Sequence, residues 1–278
     1  MTIEEVIRES VVALFSNDVL RRTLVLKGGT ALFLVQNINT RLSTDIDFSV
    51  SGEIVNPDQY FSYVESTLKE HFSKLGFEVF DTGYKKKPRE PAISQPKFWA
   101  GWYFEFKLIS NKLNTRALEY KRRAALIPGG AASSKNEIDI SEYEYCDSTE
   151  KIELEGSIIT SYSTSLLVLE KLRAICQQHP EYPYGRTKNR TRDFFDIYQI
   201  VRKHRSAELY DEIRRHLPRV FEAKEVSLSL LKGIFEPDFV AFQASHFSSV
   251  EATVKEAPEP FDFYLEQLRL LVSELGYL

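Results

Sequence analysis

The chain has 278 residues, of which 43% are hydrophobic and 27% charged, with a formal net charge of -4, so it can bury a core in one large or two modest domains. Its two cysteines, Cys146 and Cys176, are too few for a metal cage or a disulfide scaffold. No run reaches the roughly 18 to 20 apolar residues that cross a bilayer, and the opening MTIEEVIRES is acidic where a secretory signal is basic and then apolar. The expectation is a cytoplasmic protein with no membrane partner.

In chain order, IEEVIRESVVALF (3–15) carries Val6, Ile7, Val11, Val12, Leu14 and Phe15 on one side and predicts an amphipathic helix, broken at Asn17 and Asp18. TLVLK (23–27) predicts a short strand, Gly28 and Gly29 a turn, TALFLVQN a helix, and DIDFSV (45–50) a second strand. From Pro57 the run DQYFSYVESTLKEHFSKLG has helical spacing and a stop at Gly76, with FEVFD a strand after it. KFWAGWYFEFKLIS is aromatic and strand-like, PGGAASSKN (128–136) is a turn signal, and NEIDISEYEY alternates again. Beyond SYSTS, the segments LLVLEKLRAICQQ, TRDFFDIYQIVRKH, AELYDEIRRHL and PFDFYLEQLRLLVSEL all have helical periodicity. The pattern predicts an α+β fold, with a sheet domain over 1–160 and a mostly helical domain over 161–278.

Charge is unevenly spread. Residues 85–123 hold eleven Lys or Arg against three acids, a local excess of +8 that leaves -12 for the remainder. Trp99, Trp102, Tyr103 and Tyr120 lie among these bases. Such a window suits either a polyanion that stacks on aromatic rings or a solvated strand edge protected by lysines.

The chemistry concentrates in LKGGTALFLVQNINTRLSTDIDFSV (26–50). In a strand, residues two apart share a face, so Asp45 and Asp47 project together while Ile46 and Phe48 enter the core. Adjacent carboxylates repel, and a hard divalent cation such as Mg2+ or Mn2+ relieves them while taking its other ligands from water and substrate phosphates. The preceding glycines allow close backbone approach to a phosphate, and Thr30 adds a hydroxyl. Singly, a Gly-Gly turn or an Asp-x-Asp strand is ordinary; the order of turn, helix and acidic strand is the signal.

This order resembles the nucleotidyltransferase fold of the DNA polymerase beta type. More closely, KGGTAL (27–32) followed by Arg41, Ser43, Asp45, Ile46, Asp47 and Phe48 resembles the AbiEii/AbiGii toxin family, the MenT-like toxins of type IV toxin-antitoxin systems. EKLRAI (170–175) is similar to that family's lysine motif and places Lys171. RTRDFFDIYQI (190–200) is similar to its RxKDxxDxY motif and places Asp193 and Asp196, with Arg192 keeping the positive charge where Lys is more usual. The resemblance implies an NTP substrate. Asp45, Asp47 and a third carboxylate would hold metal, and Lys27, Gly28, Gly29, Thr30, Arg41 and Ser43 would bind the nucleotide. Lys171 would act as a phosphate ligand and Asp193 as an active-site acid, both from the helical domain. The third carboxylate is expected at Asp139, with Glu105 as the alternative. A helical wheel puts Phe194, Ile197, Tyr198 and Val201 on one face of the last motif, Asp193 at its border and Asp196 toward solvent.

What the resemblance implies is a metal-dependent transfer of NMP to an RNA acceptor, the tRNA 3' end, blocking translation. A separately encoded antitoxin and a monomeric state are further expectations. Alternatives are nucleotidylation of a protein side chain, including self-modification, and a non-catalytic nucleotide- or RNA-binding module.

Overall fold

The computed structural model describes residues 1–38, 45–88, 96–185, 188–254 and 256–278. Two compact units emerge, Met1–Val35 with Ser43–Ser161, and Gln36–Leu42 with Tyr162–Leu278.

In the first unit, helix α1 (Ile3–Ser16) starts in a capping box, where the Thr2 hydroxyl accepts from Glu5 N–H and the Glu5 carboxylate accepts from Thr2 N–H. Asn17 caps α2 (Asp18–Thr23). There follow β1 (Val25–Lys27), α3 (Gly28–Leu34), β2 (Ile46–Ser49), α4 (Pro57–Lys74), β3 (Phe77–Lys87), β4 (Gly101–Ser110), α5 (Leu118–Arg123), β5 (Asn136–Ser141), β6 (Thr149–Leu154) and β7 (Ser157–Tyr162). The described strands form one mixed sheet in the order β3-β4-β5-β2-β1-β7-β6. β2 pairs parallel with β5 and antiparallel with β1, and β4 pairs antiparallel with both β3 and β5.

One face of this sheet is apolar and covered by helices. Phe15 of α1 meets Phe48, Phe61 of α4 lies against Tyr84, Trp102 and Phe104, and Phe72 meets Phe106. Period-two alternation sends the intervening residues, Asp47, Asp139, Tyr103, Glu105 and Lys85, to the opposite face. The helix α5 is a feature the sequence reading left out; Lys121 and Arg122 fasten it to Glu78 and Asp81 of β3 at 2.8 and 2.7 Å.

The second unit is helical: α6 (Thr164–Cys176), α7 (Thr191–His204), α8 (Ala207–Glu222), α9 (Leu230–Gly233), α10 (Pro237–Ala244), α11 (Ser248–Glu251) and α12 (Phe261–Glu274). α7 packs between α6 on one side and α11 and α12 on the other. α8 runs five residues past the expected end at Leu217, through Pro218. Burial of Leu217, Val220 and Phe221 offsets the roughly 3 kcal/mol that an interior proline costs a helix. No helix among the described residues is long and apolar enough to cross a membrane.

Candidate active site

Strand register builds a polar row across the second face of the sheet: Lys27 lies opposite Asp47, Asp47 opposite Asp139, Asp139 opposite Tyr103, and Tyr103 opposite Lys85. Neighbouring strands lie about 4.8 Å apart, so Asp47 and Asp139 are direct cross-strand neighbours of like charge, an arrangement that costs stability unless a cation relieves it.

Gly28 explains why a glycine turn precedes the acids. Its φ is +66°, a conformation that disfavours any Cβ, and a Cβ there would meet Asp47 Oδ2 at 2.4 Å. The missing side chain therefore leaves the space in which the Asp47 carboxylate sits. Gly29 follows, partly exposed, in the first turn of α3. Thr30, expected to present its hydroxyl to a nucleotide, is fully buried and donates to the Asp45 carbonyl at 2.7 Å, so it positions the start of β2. Lys27, also expected at the nucleotide, is only 7% exposed, with its ammonium 3.0 Å from Ser141 Oγ and 3.5 Å from Glu144. A buried ammonium needs such partners, and they come from the last residue of β5 and from Glu144 just after it. Asp45 sits just before β2 and is exposed. Arg41 and Ser43 lie outside the described residues.

Asp139 receives a partner that the sequence reading missed: Lys87 Nζ lies 2.5 Å from Asp139 Oδ1. Glu105, the alternative third carboxylate, points one row away and shares Lys135 with Glu137 at 2.9 and 3.0 Å. Burial disfavours its charged form, but hydrogen bonds from Lys135 and Tyr103 outweigh it and hold the carboxyl below the usual range. Asp139 is thus the acid that the sheet brings beside Asp47.

Four of the eleven bases in the basic window pair with acids outside it. Lys107 and Arg122 both reach Asp81, Lys121 reaches Glu78, and Lys87 reaches Asp139. Trp102 and Tyr103 are buried; Lys86 and Lys87 lie over their rings at 5.5 and 4.6 Å. Lys85 and Lys86 remain exposed on β3, the outer strand of the sheet.

In the helical unit, Lys171 of α6 donates to Asp193 Oδ1 at 3.1 Å and to Asp196 Oδ2 at 2.7 Å, and Arg190 approaches Asp193 at 3.6 Å. Lys171 is 5% exposed, so the expected phosphate ligand is a buried, doubly paired ammonium. Asp196, placed toward solvent by the helical wheel, is 2% exposed. The wheel assumes a single buried face, whereas α7 is covered on two sides, with Phe194, Phe195 and Tyr198 against Phe261, Tyr264 and Phe263.

The family model described as nucleotidyl transferase AbiEii toxin, Type IV TA system, matches residues 11–267. The chain belongs to the AbiEii family. AbiEii membership makes it a nucleotidyltransferase of the toxin class, and implies an NTP substrate and a separate antitoxin. Among solved structures, a putative nucleotidyltransferase of H. pylori aligns at 17% identity and TM-score 0.52, covering 98% of this chain and 95% of that one, which shows a shared fold. An antigenic nucleotidyltransferase-like protein of Paracoccidioides brasiliensis aligns at 15% identity and TM-score 0.37, over 79% of this chain and 92% of that one. A comparison with curated proteins finds no match.

AbiEii membership also raises a divalent cation, which the donor set can be tested against. Among the described residues, no three His, Cys, Asp or Glu side chains gather to hold one ion; Asp45 lies just before β2, and Lys87 approaches one oxygen of Asp139. What remains, two opposed carboxylates on adjoining strands, fits a hard cation that draws its other ligands from water and phosphate, the usual habit of Mg2+.

Proposed function

We propose that this AbiEii toxin transfers NMP from an NTP to an RNA acceptor, the tRNA 3' end, and so blocks translation. The observation that carries the reading is the Asp47–Asp139 pair, opposed on parallel strands over the Gly28 turn. Asp47 and Asp139, with Asp45 at the exposed rim, would hold a divalent cation, which would supply charge neutralisation to the phosphoryl oxygens. The chain's own residues do the rest. Gly28 and Thr30 fix where Asp47 and Asp45 stand, and Lys27, fixed on Ser141 and Glu144, offsets their charge. Asp139 takes the proton of the acceptor hydroxyl as its oxygen bonds to the α-phosphorus and the bond toward the β-phosphate breaks, releasing pyrophosphate. Lys171 and Asp193 enter this reading through the family resemblance alone.

The test is incubation with Mg2+, each labelled NTP in turn and total tRNA, beside an Asp47→Ala control, resolved on a denaturing gel. Label on tRNA that disappears in the variant supports the reading and names the nucleotide. Label on protein alone moves the acceptor to a side chain, and no label with NTP binding intact reduces the protein to a binding module.

A further inference from the structure

Lys87, the last residue of β3, is an exposed lysine that makes two specific contacts. Its ammonium lies 2.5 Å from Asp139 Oδ1 and 4.6 Å from the centre of the Tyr103 ring. Tyr103 is buried, its hydroxyl donates to Glu137 at 2.7 Å, and Lys135 lies over the same ring at 5.0 Å. The ammonium therefore rests on an aromatic platform beside an acid that directly opposes Asp47.

Two opposed carboxylates are relieved by one cation between or beside them. A lysine ammonium and a hard divalent ion are alternative forms of that relief, because both seek the same carboxylate oxygens and they repel each other. We propose that Lys87 is a built-in counter-ion that must leave Asp139 before that acid can take up a divalent cation or an acceptor proton, so that Lys87 sets the divalent-ion affinity of the site. The inference rests on the reading of Asp47 and Asp139 as a cation-binding pair. Lys85 supplies the natural control. It lies on the same face, opposite Tyr103 and exposed, and none of its interactions described here reaches Asp139.

The test measures Mn2+ binding to the full chain by electron paramagnetic resonance, together with thermal melting with and without Mg2+, for the parent protein and for Lys87→Met, Lys85→Met and Asp47→Asn. Lys87→Met is expected to bind Mn2+ roughly tenfold more tightly and Lys85→Met by less than about twofold, since a contact charge outweighs a screened one. Without divalent ions Lys87→Met melts lower than the parent, and saturating Mg2+ removes the difference. Lys87→Gln repeats the measurement with a polar side chain should the methionine variant misfold. Equal affinities in parent and Lys87 variants, or an equal gain in Lys85→Met, overturn the inference; loss of Mn2+ in Asp47→Asn then leaves the site reading standing. Unchanged binding in Asp47→Asn overturns that reading and the role of Lys87 with it.

Discussion

Asp47 and Asp139 sit opposite one another on neighbouring strands, both partly exposed. Asp193 and Asp196 lie one turn apart on α7, buried, and share the Lys171 ammonium. The sheet acids can change partners cheaply, because water screens whatever charge is exposed for a moment. The helical acids cannot, because losing Lys171 would take their shared ammonium from two nearly buried carboxylates. Side chains of the same type thus stand in a hydrated setting in one region and a buried one in the other.

Substitution can break this contrast. The largest effect is expected from Asp47→Asn, which should lower nucleotidyl transfer at least about a thousandfold while leaving the melting temperature close to that of the parent; a parallel collapse in stability would erase the distinction. Next is Lys171→Met, expected to cost about 3 to 5 kcal/mol by chemical denaturation, as removal of one partner from a buried ion pair does. The triple variant Lys171→Met/Asp193→Asn/Asp196→Asn should recover most of that loss, because the two buried carboxylates are removed with their ammonium. Gly28→Ala is expected to cost about 1 to 3 kcal/mol from backbone strain and to displace Asp47, so that transfer falls more than stability alone explains. Thr30→Val should lose about 1 kcal/mol with its hydrogen bond to the Asp45 carbonyl and lower kcat by less than Asp47→Asn does.

The smallest effect concerns pH. The hydrogen bonds from Arg122 and then Lys107 hold the Asp81 carboxyl down to about 2. A carboxyl depressed in the folded state stabilises above its ordinary value near 3.9, and that contribution is lost as pH falls toward about 2. Asp81→Asn should flatten the acid limb of the stability curve by an amount on the order of 1 kcal/mol after screening, read from melting temperatures between about pH 5 and 2.

Much of the framework was legible where local chemistry decides. Helix α1, the Gly76 stop after α4 and the whole of α7 follow from short-range spacing. Alternation in DIDFSV and NEIDIS put Asp47 and Asp139 on one kind of face, although only pairing could reveal that they are opposite one another. Long-range partners were hidden: Glu144 for Lys27, Lys87 for Asp139, and Glu78 and Asp81 for the bases of α5. Ser141 was within reach, since it stands two residues from Asp139 on the same alternating strand. Asp196 was misplaced because periodicity reports one apolar face and cannot tell that a second helix covers the other side.

The ends of the sheet have a consequence of their own. At one margin β3 exposes Lys85, Lys86 and Lys87, and at the other β6 turns Lys151 and Glu153 outward before the tight Glu155-Gly156 turn. A strand from another chain that tried to extend the hydrogen-bond ladder at either margin would have to desolvate these charges. Electrostatics thus terminates the sheet at both sides, which protects an aromatic-rich β-structure against growth into aggregates.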